Sequence, residues 1–293
     1  MDISRRNALK KMGAVMGSAT VMGLAGRIQA AEDALEKENL KGNINHSVCR
    51  WPYGSLTLEE LCVVSNEIGI KGIEIVGPDT WETLKKYDLY CPMCNGAETG
   101  LNVGFIHTDA HSTLKTNYER VIPMVAEAGF KNLICFSGNS NGMDEETGMK
   151  NFVDGIKQII GTAEKHGVVI CLEMLNSRVS HVGYMADTTQ WGVDVADRIG
   201  SDNFKLLYDI FHMQVMEGDI ISRIRQYHEY IAHYHTGGVP GRNEIDETQE
   251  LFYPAIMRAI VETGFTGYVG QEFVPSRGDA VASLRQGVHI CDV

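Results

Sequence analysis

The chain has 293 residues, of which 44% are hydrophobic, 22% charged and 8% aromatic, and this composition excludes a disordered, fibrous or multi-span membrane protein. Its 26 Lys and Arg residues against 38 Asp and Glu residues give a formal net charge of −12, which opposes a nonspecific grip on nucleic acid phosphates. The seven cysteines are scattered and indicate no disulfide framework. Their one close pair, Cys91 and Cys94, is expected in an ordinary loop. We therefore expect a globular protein with no nucleic acid partner.

The N-terminus has the features of an export signal. Arg5 and Arg6 precede an apolar stretch of small residues, positions 12–26, which ends near Ala30. The pattern resembles a twin-arginine signal, and the apolar stretch is shorter than the ~20 residues that span a bilayer. The sequence therefore predicts a signal over residues 1–30, then a linker or surface segment over residues 31–44. The expected product is an exported, periplasmic bacterial protein with no stable membrane insertion after signal removal.

From residue 45 onward, short β-type runs alternate with helix-length amphipathic segments. Glycines that can adopt the left-handed conformation are expected to end four helices before the next strand, namely Gly69, Gly129, Gly167 and Gly264. Eight βα units within about 250 residues predict a closed (β/α)₈ TIM barrel, an α/β fold, as a single domain over residues 45–293. The predicted strands are His46–Trp51, Gly72–Val76, Asn102–Thr108, Asn132–Ser137, Val168–Leu175, Phe204–Phe211, Ile231–Thr236 and Tyr268–Phe273.

Metal-ligand residue types close four successive predicted strands, at the end of a barrel where active sites lie. They are Glu173, Asp209, His235 and Glu272. Buried carboxylates are costly unless they are paired or bind a cation, and inward side chains from strands ~4.8 Å apart can converge. The sequence therefore predicts one divalent metal ion bound by these four residues. Three carboxylates and one imidazole favour Mn²⁺ or Mg²⁺, while Co²⁺ or Zn²⁺ would be tolerated.

Several other polar and aromatic residues are ambiguous from sequence. His233 shares strand parity with His235 and is expected to be a hydrogen-bonded core residue one layer deeper. Glu74, on the second predicted strand, is a candidate substrate-binding residue. His181 lies in a predicted loop at the active end and could contact substrate, whereas core packing is the default expectation for Trp51.

Four segments resemble the hydroxypyruvate isomerase branch of the xylose-isomerase-like TIM-barrel superfamily, which contains sugar isomerases and epimerases. The resemblance extends over nearly all of the chain after the signal, and the stretch from Tyr208 to Gly218 is its most specific part. The segments are Leu172–Asn176, Tyr208–Gly218, Val239–Arg242 and Gly267–Phe273.

The resemblance implies a role for each matching position. Glu173, Asp209, His235 and Glu272 match the metal ligands, and Glu173 and Glu272 also match the two catalytic glutamates. The isomerase branch often has glutamine at the position of His235, whereas the epimerases have histidine. The residues implied to bind substrate or line its pocket are His107, Asn176, His212 and Arg242.

The favoured interpretation is a divalent-metal-dependent isomerase of small hydroxy-carbonyl compounds, similar to hydroxypyruvate isomerase, that transfers a proton between two glutamates through an enediolate. Three alternatives stay open. They are a ketose 3-epimerase or other free-sugar epimerase, an exported non-catalytic carbohydrate-binding barrel, and a metal-dependent hydrolase or nuclease on a related multi-metal barrel. The expected partner is a small hydroxy-carbonyl compound or sugar, and a homo-oligomer is compatible with the sequence.

Overall fold

A curled sheet of seven parallel strands organises residues 40–293, the part of the chain that the computed structural model describes. The strands pair in the order β2-β1-β7-β6-β5-β4-β3. The predicted signal over residues 1–30 and positions 31–39 of the predicted linker lie outside the described residues. The strands are β1 (Asn45–Cys49), β2 (Gly72–Glu74), β3 (Asn132–Cys135), β4 (Val169–Glu173), β5 (Phe204–Asp209), β6 (Ile231–Thr236) and β7 (Tyr268–Gln271).

A short extended segment over residues 90–95, called the closing segment here, lies between β2 and β3 and takes the remaining position in the ring. On the β2 side the Ile75 N–H donates to the Met93 carbonyl at 2.8 Å. On the β3 side the Cys94 N–H donates to the Asn132 carbonyl at 2.9 Å. The proline in this segment has no N–H to donate, so it cannot complete a regular ladder. The barrel thus has eight positions, of which this one is held by isolated bridges.

The predicted strand Asn102–Thr108 is wrong. These residues form a loop in which Phe105 and Ile106 are buried, and their N–H groups donate to the Phe136 and Ser137 carbonyls just beyond β3. Their apolar character reflects burial of the loop rather than sheet pairing. The other seven predicted strands are confirmed, with ends that shift by at most two residues.

The Cys91 and Cys94 pair lies in the closing segment rather than in an ordinary loop. Both thiols are reduced and buried, as are the other five cysteines. The cysteine pair is therefore part of the barrel wall.

Helices connect the strands, and the glycines expected at helix ends adopt that role. Gly69 ends α1 at φ 91° and Gly167 ends α5 at φ 67°, a conformation that favours glycine. No helix within residues 40–293 combines the length and the apolar character needed to cross a membrane. The helices of this region are α1 (Leu58–Ile68), α2 (Trp81–Lys86), α3 (His111–Glu127), α4 (Glu145–Ile156), α5 (Ile160–His166), α6 (Thr189–Ile199), α7 (Ile210–Met216), α8 (Ile220–Tyr227), α9 (Tyr253–Glu262) and α10 (Ala280–Cys291).

Candidate metal and active site

Four neighbouring strands, β4 to β7, bring the predicted metal ligands to one point at their C-terminal ends. Glu173 and Asp209 are the last residues of β4 and β5, His235 lies opposite Asp209 in β6, and Glu272 follows β7 directly. One ligand atom from each residue lies within 4.8 Å of the other three, and all four side chains are buried. The structure thus brings together the four residues that the sequence predicted as metal ligands from their positions at strand ends.

The charges of this cluster fit a divalent cation. Arg242 Nη2 lies 2.9 Å from Asp209 Oδ2 and 2.5 Å from Glu272 Oε2. With Glu173 included, three carboxylates face one guanidinium, which leaves two negative charges for a divalent ion to neutralise. Burial and the neighbouring carboxylates raise the pKa of Asp209 to about 7 despite the opposing charge of Arg242. Three carboxylates with one imidazole are a donor set suited to Mn²⁺ or Mg²⁺.

The two candidate catalytic glutamates have different surroundings. Glu272 Oε1 accepts a 2.7 Å hydrogen bond from Trp51 Nε1, and Glu272 Oε2 lies 2.7 Å from His235 Nδ1. Burial favours the neutral acid, but the charge of Arg242, followed by the adjacent His235 imidazole, holds the pKa of Glu272 well below its usual range. The Glu173 carboxylate contacts His235 Nδ1 at 3.3 Å, and burial together with the charge of Glu272 raises its pKa.

Asn176 fixes the tautomer of His212. The Asn176 backbone N–H and side-chain Nδ2 lie 3.1 and 2.7 Å from His212 Nδ1. Asn176 Oδ1 already accepts from the Val179 and Ser180 N–H groups, which sets the orientation of the amide. His212 Nδ1 must then be an acceptor, so the ring proton is on Nε2. That nitrogen lies 3.0 Å from Arg242 Nη1 and 3.6 Å from Asp209 Oδ2, so a substrate oxygen placed between the two N–H donors would accept from both.

The helix that follows β5 starts inside the site. Asp209 is the N-cap of α7, and its Oδ1 accepts the His212 backbone N–H at 3.1 Å. Its other oxygen, Oδ2, faces Arg242. One residue therefore stops the strand, begins the helix and contributes a carboxylate oxygen to the cluster.

Trp51 belongs to the site, and the expectation that it packs in the core is wrong. Its side chain is 48% exposed and lies in the 3₁₀ turn Trp51–Tyr53 just after β1. The Arg242 guanidinium lies 5.4 Å from the Trp51 ring centroid and 5.3 Å from that of Phe211. The position of Trp51 directly after a barrel strand was the one sequence signal for this role. His181 lies beside the site, its ring centroid 5.2 Å from that of His212.

Two predicted substrate-binding residues do not face the space between the four ligands and Arg242. His107 Nδ1 lies 3.2 Å from the Gly104 N–H, and none of the contacts described for residues 40–293 joins it to the four ligands. Glu74 is fully buried beneath His235. Their substrate-binding roles stay predictions.

A cavity of about 510 Å³ lies at the opposite, N-terminal end of the strands and includes none of the site residues.

Comparisons with known proteins identify the family. The family model described as "Xylose isomerase-like TIM barrel" matches residues 65–290. A "Putative hydroxypyruvate isomerase" of Homo sapiens is 32% identical over 133 residues, which are 45% of this chain and 48% of the relative. A D-psicose 3-epimerase of Ruminiclostridium cellulolyticum is 32% identical over 145 residues, 48% of this chain and 46% of the relative. The chain spans about half the length of the curated relatives it matches.

Solved structures agree on the fold. The crystal structure of an AP endonuclease, family 2, from Brucella melitensis has a TM-score of 0.74 at 22% identity and covers 82% of this chain and 97% of that chain. A structure of the IOLI protein with a bound zinc atom has a TM-score of 0.68 at 18% identity and covers 85% of this chain and 98% of that chain. At these identities the likeness concerns the fold, and the predicted barrel is confirmed.

Proposed function

Because the chain belongs to the xylose isomerase-like TIM barrel family, we propose that it is a divalent-metal-dependent isomerase of small hydroxy-carbonyl compounds, similar to hydroxypyruvate isomerase. The observation that carries this proposal is the convergence of Glu173, Asp209, His235 and Glu272 within 4.8 Å. Relatives named as isomerases and epimerases support the reaction class. Mn²⁺ or Mg²⁺ is the favoured ion, and Co²⁺ or Zn²⁺ would also fit the ligand set.

The side chains of this site can carry out a proton transfer between neighbouring substrate carbons. One of Glu173 and Glu272, as the carboxylate, takes a proton from the carbon next to a carbonyl, and the other, as the carboxylic acid, gives its own proton to the resulting enediolate. The N–H groups of His212 and Arg242 hold substrate oxygens in register. A divalent ion, when bound, would polarise the carbonyl and stabilise negative charge as it develops.

A solvent-exchange experiment tests this function. Metal-loaded protein is incubated in deuterated water with hydroxypyruvate, aldoses and ketoses, and NMR follows deuterium incorporation into the substrate. We expect incorporation with the wild type and none with Glu173→Gln or Glu272→Gln, because an amide cannot act as the base. Glu250→Gln, which alters an exposed glutamate outside the site, serves as the matched control. Undiminished exchange in both site variants would contradict the proposed mechanism.

A ketose 3-epimerase is the second candidate function. His235 supports it, because the resembling epimerases have histidine at this position, as does the partial match to a D-psicose 3-epimerase. The same experiment separates the two reactions. An epimerase would return the ketose with deuterium and inverted configuration at one carbon, whereas an isomerase would move the carbonyl. Absence of exchange with every substrate would favour the non-catalytic carbohydrate-binding barrel.

We further propose that the protein is exported to the periplasm, on the strength of the Arg5 and Arg6 pair within residues 1–30.

A further inference from the structure

A second layer of buried polar side chains lies directly beneath the four ligands. This layer, called the floor here, consists of Ser47, Cys49, Glu74 and His233, and none of the four has any solvent exposure. Glu74 Oε2 lies 2.6 Å from His233 Nε2, and Glu74 Oε1 accepts a 3.0 Å hydrogen bond from Ser47 Oγ. The proposed proton transfer uses none of these groups. A fully buried carboxylate is costly, so its position calls for a physical reason.

The backbone leaves room for this carboxylate. Gly270 of β7 pairs with Ser47 of β1, and a Cβ at Gly270 would overlap Glu74 Oε1. The carboxylate lies in this space against the imidazoles of His233 and His235. The Glu74 carboxylate is therefore surrounded by side chains from two strands, Ser47 of β1 and His233 and His235 of β6.

His235 joins the floor to the ligand cluster through its two ring nitrogens. Nδ1 lies on the ligand side, 2.7 Å from Glu272 Oε2 and 3.3 Å from Glu173 Oε1. Nε2 lies on the floor side, 3.6 Å from Cys49 Sγ and 3.7 Å from Glu74 Oε1. A neutral imidazole has one N–H, and a nitrogen that binds a metal must offer its lone pair. If Nδ1 binds the ion, the ring proton is on Nε2 and faces the floor.

We propose that Glu74 is a positioning residue whose carboxylate, 3.7 Å from His235 Nε2, favours the ring proton on that nitrogen and so keeps the Nδ1 lone pair directed at the ion. This role rests on the proposed metal site and differs from the substrate contact expected from sequence. Of the two groups near Nε2, Glu74 offers the charged acceptor, while Ser47 and His233 hold its carboxylate in place. Such outer carboxylates orient metal-binding histidines in many sites, and their loss typically weakens metal binding about 10–100-fold.

The test is a binding measurement that does not depend on turnover. The full chain is freed of metal and titrated with Mn²⁺, with free Mn²⁺ followed by electron paramagnetic resonance. Glu74→Gln keeps the shape and removes the charge, so we expect its dissociation constant for Mn²⁺ to rise about 10–100-fold. Ile73→Val is the matched control, because it trims a buried neighbour on the same strand. It should leave the dissociation constant for Mn²⁺ unchanged.

The ring tautomer gives a second readout that a merely structural role would not alter. In Zn²⁺-loaded protein, ¹⁵N–¹H spectra of the histidine rings should show His235 protonated at Nε2 in the wild type and a weakened preference in Glu74→Gln. If Glu74→Gln does not fold, Ser47→Ala removes the hydroxyl that holds Glu74 and should weaken Mn²⁺ binding a few-fold.

The outcomes separate this inference from the proposed function. Binding of Mn²⁺ by Glu74→Gln as tightly as by the wild type would overturn the role of Glu74 alone. A second Mn²⁺ per chain, bound by Cys49 and Glu74, would also overturn it, because the floor would then be a metal site itself. Wild-type protein that bound no Mn²⁺ would overturn both this role and the proposed metal dependence.

Discussion

Trp51 shows how one N–H group at the mouth of the barrel can orient an acid. Its indole N–H donates to Glu272 Oε1 at 2.7 Å, and its ring lies beside the Arg242 guanidinium. Hydrogen bonds from an N–H to a carboxylate are stronger than those between neutral groups. The indole therefore fixes one carboxylate oxygen of Glu272 and helps to place the guanidinium.

We expect Trp51→Phe to lower kcat about 10-fold while KM changes less. The substitution keeps an aromatic ring and removes a hydrogen bond to a charged group, which contributes about 1.5–3 kcal/mol. Steady-state kinetics on the substrate found by the exchange screen would measure the effect. Trp81→Phe is the control, because it removes an indole N–H that donates to the Val76 carbonyl at 3.1 Å, away from the site. An unchanged kcat in Trp51→Phe would show that the indole N–H is dispensable.

The role of a single residue in the candidate site was predictable from the sequence only where its position at the end of a strand indicated that role. Glu173, Asp209 and Glu272 could be selected because each stands at the end of an apolar strand. Trp51 also follows a strand, but its role could not be inferred from that position, because its partner is 221 positions away in the chain and the contact depends on the turn after β1. His212 and Arg242 were found through a family resemblance, since their shared space exists only once the barrel is closed.

At the scale of elements, Glu244 fastens the loop after β6 to the loop after β7. Its carboxylate accepts from the Ser276 N–H at 3.0 Å, the Ser276 hydroxyl at 2.7 Å, the Arg277 N–H at 3.2 Å and the Ser283 hydroxyl at 2.9 Å. Burial opposes ionisation, but these hydrogen bonds outweigh it and lower the pKa of Glu244 to about 2. The loop that presents Arg242 is thereby held against the segment that follows Glu272.

Glu244→Gln should destabilise the protein at neutral pH and much less in acid. Because the folded-state pKa of about 2 lies below the usual value near 4.3, the carboxylate stabilises the fold above about pH 4.3 and loses this effect as the pH falls toward 2. We expect a loss of about 1–2 kcal/mol at pH 7 after allowance for solvent screening. Urea denaturation at pH 7 and pH 3 measures it.

The control for this measurement is Glu82→Gln, which removes an exposed carboxylate paired with Lys85. It should change the free energy of unfolding by less than about 0.5 kcal/mol at either pH. An equal loss for Glu244→Gln at pH 7 and pH 3 would contradict the electrostatic explanation.

At the third strand position of the barrel, the apolar pattern of the sequence predicts the wrong segment as the strand. Residues 102–108 have the apolar content of a strand, yet they form a loop in which Phe105 and Ile106 are buried and Val103 is exposed. The closing segment contains a proline and yet takes a strand position in the barrel, because the backbone N–H and C=O groups of β2 and β3 on either side need hydrogen-bond partners. Strand formation depends more on neighbours than on intrinsic preference. The other seven strands were predictable because their own sequences are apolar and follow helix-ending glycines or turns.

At the scale of the whole molecule, the N-terminal residues lead to a prediction about the location of the protein in the cell. Cells that express the wild type should contain, in the periplasmic fraction, a chain that lacks residues 1–30. Replacement of Arg5 and Arg6 by lysine should hold the full-length chain in the cytoplasm, because the twin-arginine pair is an address read by a receptor.

Immunoblots of fractionated cells, with mass spectrometry of the N-terminus, test this prediction. Lys10→Arg with Lys11→Arg is the matched control, because it also exchanges two basic residues at constant charge. Equal export of the Arg5 and Arg6 variant would show that the pair is not the signal.

The closing segment between β2 and β3 is the weakest joint of the barrel. Because isolated bridges hold it while ladders join the other strands, we expect local opening of the barrel to begin there. The strands β4 to β7 are next to one another on the unbroken arc, and they do not border that joint. Opening of this joint would therefore leave the spacing of the four ligands intact, and Glu74, at the end of β2, is the part of the metal-site surroundings that it would disturb.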